Sequence, residues 1–269
     1  MERAADDLDA ERVLYAAQGD TRILTLNRPD KLNPLDWQSV KALTVAVRRA
    51  DADPQCRIVV ITGAGKSFSA GGDLDGYIGL YRRPAEFQAF LDDFFVLLDA
   101  IERSARIFIA AVNGHCVAGG LELALACDLV VAAREARIAD GHLNFGQLPG
   151  AGGSQRLPRA IGALRAKYLI LTGRGIDGVE AERLGLASLA VPRAELMSTV
   201  LALAEEMSGK SALGLAMAKR LVDDGMALPL QAALRMEIER VHGYATQSHD
   251  AMEGLMAFRE KRDPAFEGR

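Results

Sequence analysis

The sequence predicts an α/β fold that gives way to an all-helical C-terminal region. Three observations carry this. Short apolar runs rich in β-branched residues alternate with helical patterns as far as about residue 195. Beyond that point only helical periodicity remains. Glycine-rich turns separate several of the strands from the helices that follow them.

Residues 1–10 read as a frayed tail. Arg12–Ala17 and Thr21–Asn27 read as two strands around a Gly19-Asp20 turn. Arg28-Pro29-Asp30-Lys31 is a loop, and Pro34 and Asp36 prepare a helix from about Trp37 to Arg49 with apolar Val40, Leu43 and Val47 on one face. Arg57–Thr62 is a buried strand. Pro84 to about Arg103 is an amphipathic helix rich in Phe and Leu, and its aromatics suit a core or a lid. Ile107–Val112 and Asp128–Ala132 are further strands, with a short one at Ala136–Ile138. Helices are expected over Gln155–Ile161, Ala163–Leu171, Gly178–Leu184, Arg193–Met207, Ala212–Asp223, Pro229–Thr246 and about Asp250–Lys261.

The composition is that of an ordinary globular chain, 269 residues with 49% hydrophobic and 25% charged. A formal charge of −4 without any basic run argues against nucleic-acid binding. Cys56, Cys116 and Cys127 form neither a disulfide framework nor a zinc spacing, which suits a reducing cytoplasm. The acidic opening MERAADDLDAE has no apolar core, so no secretory signal is expected, and no apolar run would span a membrane.

The chain is organised around Ile107–Asp128, IFIAAVNGHCVAGGLELALACD. A strand stops at Asn113-Gly114, and Gly119-Gly120 opens a buried, Ala-rich helix over about Leu121–Cys127. Free backbone N–H groups at such a helix start can hold a developing oxyanion. Glu122 sits in that first turn in otherwise apolar company. It reads either as an acid/base group beside the N–H donors or, with Gly119 as N-cap, as a capping carboxylate at N3.

Three other glycine-rich stretches stand out. Gly63-Ala64-Gly65-Lys66-Ser67 superficially matches a phosphate-binding P-loop, but the position five before Gly65 is Val60 rather than Gly. Phe68-Ser69-Ala70-Gly71-Gly72-Asp73-Leu74 reads as a simple turn or as backbone that approaches a ligand closely. Ala139–Ser154 is the longest glycine-punctuated loop and carries Asp140 and His142. The four histidines show no metal-ligand spacing, and no metal is expected.

Taken together, Leu26–Leu32 (LNRPDKL), Gly63–Leu74 (GAGKSFSAGGDL), Ala111–Asp128 (AVNGHCVAGGLELALACD) and Leu148–Leu157 (LPGAGGSQRL) resemble the enoyl-CoA hydratase/isomerase (crotonase) superfamily. Met252–Arg262 is similar to its C-terminal helix. The resemblance implies a spiral of ββα units over residues 1–195 and a C-terminal helical region over 196–269 that assembles trimers or paired-trimer hexamers. It implies an acyl-CoA thioester as substrate, CoA being part of that substrate rather than a separate cofactor.

Carried over by position, the oxyanion-hole donors are Ala70 and Gly119, the first catalytic glutamate is Glu122, and the second falls on His142. Arg28 and Lys31 fall in the CoA-phosphate neighbourhood, and Phe258 and Lys261 at C-terminal positions that approach CoA; the alternatives are solvated charge and, for Phe258, helix packing. Ser69, Ala70, Gly72, Asp73, Leu74, Gly120 and Leu121 complete the expected substrate-contacting set, with Ala70, Leu74 and Leu121 at the acyl end.

His142 is the departure from the family pattern. An imidazole can replace a carboxyl as acid/base near neutral pH, with Asp140 orienting it, or it can merely bond within the loop. The reaction expected is addition of water to a 2-enoyl-CoA through a thioester enolate. The alternatives are another crotonase-type reaction (double-bond isomerisation, or C–C hydrolysis of a cyclic β-keto acyl-CoA) and a catalytically silent acyl-CoA-binding protein.

Overall fold

The computed structural model describes residues 12–269, so the expected N-terminal tail over 1–10 lies outside the described residues. The strands are β1 Val13–Gln18, β2 Thr21–Leu26, β3 Ile58–Gly63, β4 Ser67–Ser69, β5 Ile107–Val112, β6 His115–Val117, β7 Leu129–Ala133, β8 Arg137–Ala139 and β9 Leu189–Val191. The helices are α1 Trp37–Ala52, α2 Leu74–Tyr81, α3 Pro84–Arg103, α4 Gly119–Leu125, α5 Gly153–Ile161, α6 Ala163–Thr172, α7 Gly178–Leu184, α8 Leu196–Ser208, α9 Ala212–Met226, α10 Leu230–Gln247 and α11 His249–Glu260.

Two sheets form, a large one in the order β1-β2-β3-β5-β7-β9 and a small one in the order β4-β6-β8. Among the described residues only strands β1 and β2 pair antiparallel; the other strand pairings are parallel. Each of β3–β4, β5–β6 and β7–β8 sends its first strand to the large sheet and its second to the small one before the chain turns into helix. This is the spiral of ββα units, followed by a bundle of C-terminal helices.

The apolar runs become central strands because both faces of the large sheet are covered. Every residue of β3 and β5 is buried. Alternate residues divide between two cores: Val59, Ile61, Phe108 and Ala110 face the helices α1 and α3, while Ile58, Val60, Ile107 and Ile109 meet Leu196, Val200 and Ala204 of α8.

Asparagine side chains stitch successive turns of the spiral together. Asn113 donates to the carbonyls of Gly63 (2.8 Å) and Gly65 (3.1 Å), and Asn33 donates to those of Ala64 (2.9 Å) and Ser67 (2.8 Å). The buried Lys219 of α9 ties the C-terminal helices to this core. Its ammonium donates to Ile101 O (3.0 Å), Arg106 O (3.3 Å) and Asp128 Oδ2 (3.0 Å).

Most expected elements form within a few residues of their expected ends. The three-residue strands β4, β6 and β9 and the helix α2 were not anticipated. Strands that short carry no readable period, and α2 holds two glycines, Gly76 and Gly79, against helix propensity.

Candidate active site

Glu122 is 2% exposed on α4, and its carboxylate is gripped from the longest glycine-rich loop. The N–H groups of Ala151 and Gly153 each donate to Oε1 at 2.8 Å. Gly153 permits this approach: a Cβ there would lie 3.1 Å from both Glu122 Cγ and Oε1. Burial pushes the Glu122 carboxyl above its usual range, and the Gly153 N–H, the His142 charge and the Ala151 N–H pull back only partly. The capping-box alternative does not hold. Ala118, not Gly119, is the N-cap, and the Glu122 carboxylate binds the distant loop instead of its own helix start.

The second carboxylate oxygen faces His142. Its Nε2 lies 3.7 Å from Glu122 Oε2, and its Nδ1 lies 3.1 Å from Oδ1 of the buried Asp140. Burial alone lowers the imidazole pKa, but the hydrogen bond to Asp140 and the charges of Glu122 and Asp140 outweigh it and leave it raised. Asp140, His142 and Glu122 thus form one chain of titratable groups, in which Asp140 holds the far ring nitrogen and aims the near one at Glu122.

The Ser69–Asp73 turn packs onto the start of α4. A Cβ on Gly120 would lie 2.5 Å from Ser69 O, and one on Gly71 would lie 3.6 Å from the Gly119 nitrogen. Ala118, just before the helix, takes φ +51°, a strained conformation for a non-glycine residue at the point where α4 must turn toward the site.

The expected donor pair needs one correction. The Ala70 N–H donates to Leu32 O at 2.9 Å, because Leu32–Leu35 runs alongside this turn and also returns a bond from Leu35 N to Gly71 O (2.8 Å). Ala70 is therefore not a free donor. Gly71 N–H goes to Ser69 Oγ (3.2 Å), which leaves Gly72 N–H with no partner among the described residues. Gly119 is the first residue of α4, so its N–H has no acceptor within the helix.

Tyr77, outside the expected site set, lies beside the Glu122 cluster. Its hydroxyl occupies the space beside Gly72, 2.2 Å from where a Cβ would stand, and its pKa is raised by burial and then by the Glu122 charge. Its ring stacks on Tyr81 and packs against Phe90. The Tyr81 hydroxyl in turn bonds to Gln147 of the glycine-rich loop. Tyr77, Trp37, Leu80, Asp36 and Asp73 line an open cleft of about 210 Å³ beside this aromatic wall.

The sequence profile of the enoyl-CoA hydratase/isomerase family matches residues 18–269. The chain belongs to the crotonase superfamily. It is 40% identical over 256 residues to a probable enoyl-CoA hydratase of Mycobacterium bovis, covering 95% of this chain and 98% of the relative. It is 37% identical over 260 residues to a probable enoyl-CoA hydratase of Rhizobium meliloti, covering 96% and 99%. The crystal structure of an enoyl-CoA hydratase from Bacillus anthracis superposes with a TM-score of 0.90 at 33% identity, covering 96% of this chain and all (100%) of that one. The coarse activity is that of this superfamily, a hydratase/isomerase reaction on a CoA thioester.

The crotonase-type positions outside the Glu122–His142 cluster fall unevenly. Arg28 forms an ion pair with Asp36, which Arg12 also holds (3.0 Å), so Arg28 is not a spare cation here. Lys31 is exposed at the end of a 3-10 turn. Asp73 stands at the N-cap position of α2 without a side-chain bond to the helix and lines the cleft, and Leu74 is exposed beside it. Leu121, expected at the acyl end, instead lines a small internal void with Val112, Cys116 and Ile138, because its place on α4 turns it toward the core. Phe258 and Lys261 lie exposed on and just after α11, which packs on α9 and α10. No helix among the described residues is long and apolar enough to cross a membrane.

Proposed function

We propose that this crotonase-superfamily protein is an enoyl-CoA hydratase that adds water to a 2-enoyl-CoA. The observation that carries the reading is the convergence of Glu122 Oε2 and His142 Nε2 at 3.7 Å, with Oε1 fully engaged by backbone donors. The pair supplies two acid/base groups within reach of one water molecule and one substrate double bond.

The Glu122 carboxylate takes a proton from water as the water oxygen bonds to the substrate β-carbon. Charge then develops on the thioester oxygen, and the N–H groups of Gly72 and Gly119 are its proposed donors; one such donor is typically worth about 3–4 kcal/mol. The His142 imidazolium delivers a proton to the α-carbon. Transfer of a proton from Glu122 to His142 across their contact restores the starting state, so the sum is one water added.

CoA recognition is assigned to the surface near Lys31 and the Ser69–Leu74 turn. The exposed apolar helix faces, including Leu230, Leu234 and Ile238 of α10 and Leu255 and Phe258 of α11, support assembly of residues 196–269 into a homotrimer or homohexamer, with Phe258 and Lys261 offered to a neighbouring subunit. The spiral over 1–195 would hold the thioester site, and the protein would act in the cytoplasm.

The Asp140–His142 pair also suits a histidine base that directs water at a carbonyl, which supports C–C hydrolysis of a cyclic β-keto acyl-CoA as the second reading. Turnover of 2-enoyl-CoA esters in oxygen-18 water tests both. A labelled 3-hydroxyacyl-CoA establishes hydration. Its absence, with a labelled ring-opened acid from a cyclic substrate, establishes the second reading.

A further inference from the structure

The loop that grips Glu122 is itself held by one side chain. Arg156, on α5, donates from Nη1 to the Ala151 carbonyl at 2.9 Å. That carbonyl lies between the two N–H groups, of Ala151 and Gly153, that bind Glu122 Oε1. The rest of the guanidinium is forked onto Glu102 near the end of α3, with Nε to Oε1 at 2.6 Å and Nη2 to Oε2 at 2.7 Å. A two-point fork fixes the plane as well as the position of a guanidinium, which a single ammonium cannot do. Gly152 makes room for it: the residue has φ +99°, and a Cβ there would lie 2.0 Å from Arg156 Nη1.

We propose that Arg156 is a positioning residue for Glu122, locking the Ala151–Gly153 backbone so that both N–H groups meet one carboxylate oxygen and leave the other turned to His142. The inference rests on the reading of Glu122 as the acid/base group. It extends that reading to a residue that touches neither substrate nor the reacting atoms. The other charged and titratable groups that face Glu122 are His142 and Asp140 from the loop and Tyr77 from α2; Glu102 and Asp99 of α3 face Arg156.

The test uses full-length Arg156→Gln and Arg156→Lys with carboxyl-13C glutamate, comparing the NMR titration of Glu122, identified by its loss in Glu122→Gln, with kcat and KM on a 2-enoyl-CoA ester. In R156Q the Glu122 midpoint moves up, because the carboxylate loses ordered donors and a nearby positive charge. Its kcat falls roughly 10–100-fold with KM little changed, as expected for a misplaced catalytic group. R156K retains the charge without the fork, so it recovers most of the midpoint and only part of kcat. A folded R156Q with wild-type titration and wild-type kcat overturns the proposal. If R156Q does not fold, R156K decides: a reduced kcat supports the fork, and wild-type kcat overturns it. A wild-type protein inactive on every 2-enoyl ester would sink the hydratase reading alone, since the titration requires no turnover.

Discussion

His142 Nε2 stands 3.7 Å from Glu122 Oε2 while its Nδ1 is held 3.1 Å from buried Asp140. One ring therefore links two buried carboxylates, those of Asp140 and Glu122. Burial raises Glu122 against the pull of His142, and against burial the Asp140 hydrogen bond and the two carboxylate charges raise His142; the pH dependence follows from both.

The proposed hydration requires Glu122 ionised and His142 protonated. Glu122 is raised, so the acid limb of kcat/KM is expected above the usual carboxylate range; below it the carboxylate is protonated and cannot accept a proton from water. His142 is also raised, so the alkaline limb lies above the ordinary imidazole value, where the ring loses the proton it must deliver. His142→Asn should lower kcat and remove the alkaline limb. A retained alkaline limb in that variant would assign it to another group.

Glu122→Gln should reduce kcat by about 10²–10⁴-fold, the range for one acid/base group. The amide can still accept from Ala151 and Gly153, so CoA-thioester affinity by calorimetry should stay near wild type. Undiminished turnover would remove Glu122 from the mechanism.

Gly120→Ala drives a Cβ to 2.5 Å from the Ser69 carbonyl and 2.9 Å from its Cβ, and the backbone cannot yield as a flexible side chain could. The start of α4 should then separate from the Ser69–Asp73 turn, spreading Gly119 from Gly72. The expected outcome is a stability loss of about 1–3 kcal/mol in urea unfolding, with a larger relative loss in kcat than in affinity.

Lys219→Met should be among the most destabilising single changes in the C-terminal region. It leaves Asp128, together with two carbonyls, without the buried ammonium. Breaking a buried pair from one side costs about 3–5 kcal/mol. Denaturant unfolding checks this, and adding Asp128→Asn should recover part of the loss by removing the uncompensated charge.

The sequence by itself determined the alternation of β-branched strands with helices, the change to an all-helical region, and the three glycine-rich segments that meet at the site. Periodicity and glycine placement are local properties, and Glu122 stood out as the one carboxylate in an apolar helix. The short strands β4 and β6, the helix α2 with Tyr77, and the contacts of Arg156 with Ala151 and Glu102 are not legible in the sequence, although Arg156 lies inside the LPGAGGSQRL segment that marks the family. Only the tertiary structure decided that Ala70 N–H is spent on Leu32 while Gly72 N–H has no partner among the described residues, and that Leu121 turns into the core. Every non-proline residue carries an N–H. Whether it can serve a substrate depends on which carbonyl the fold places opposite it, and that carbonyl lies on a segment distant in sequence.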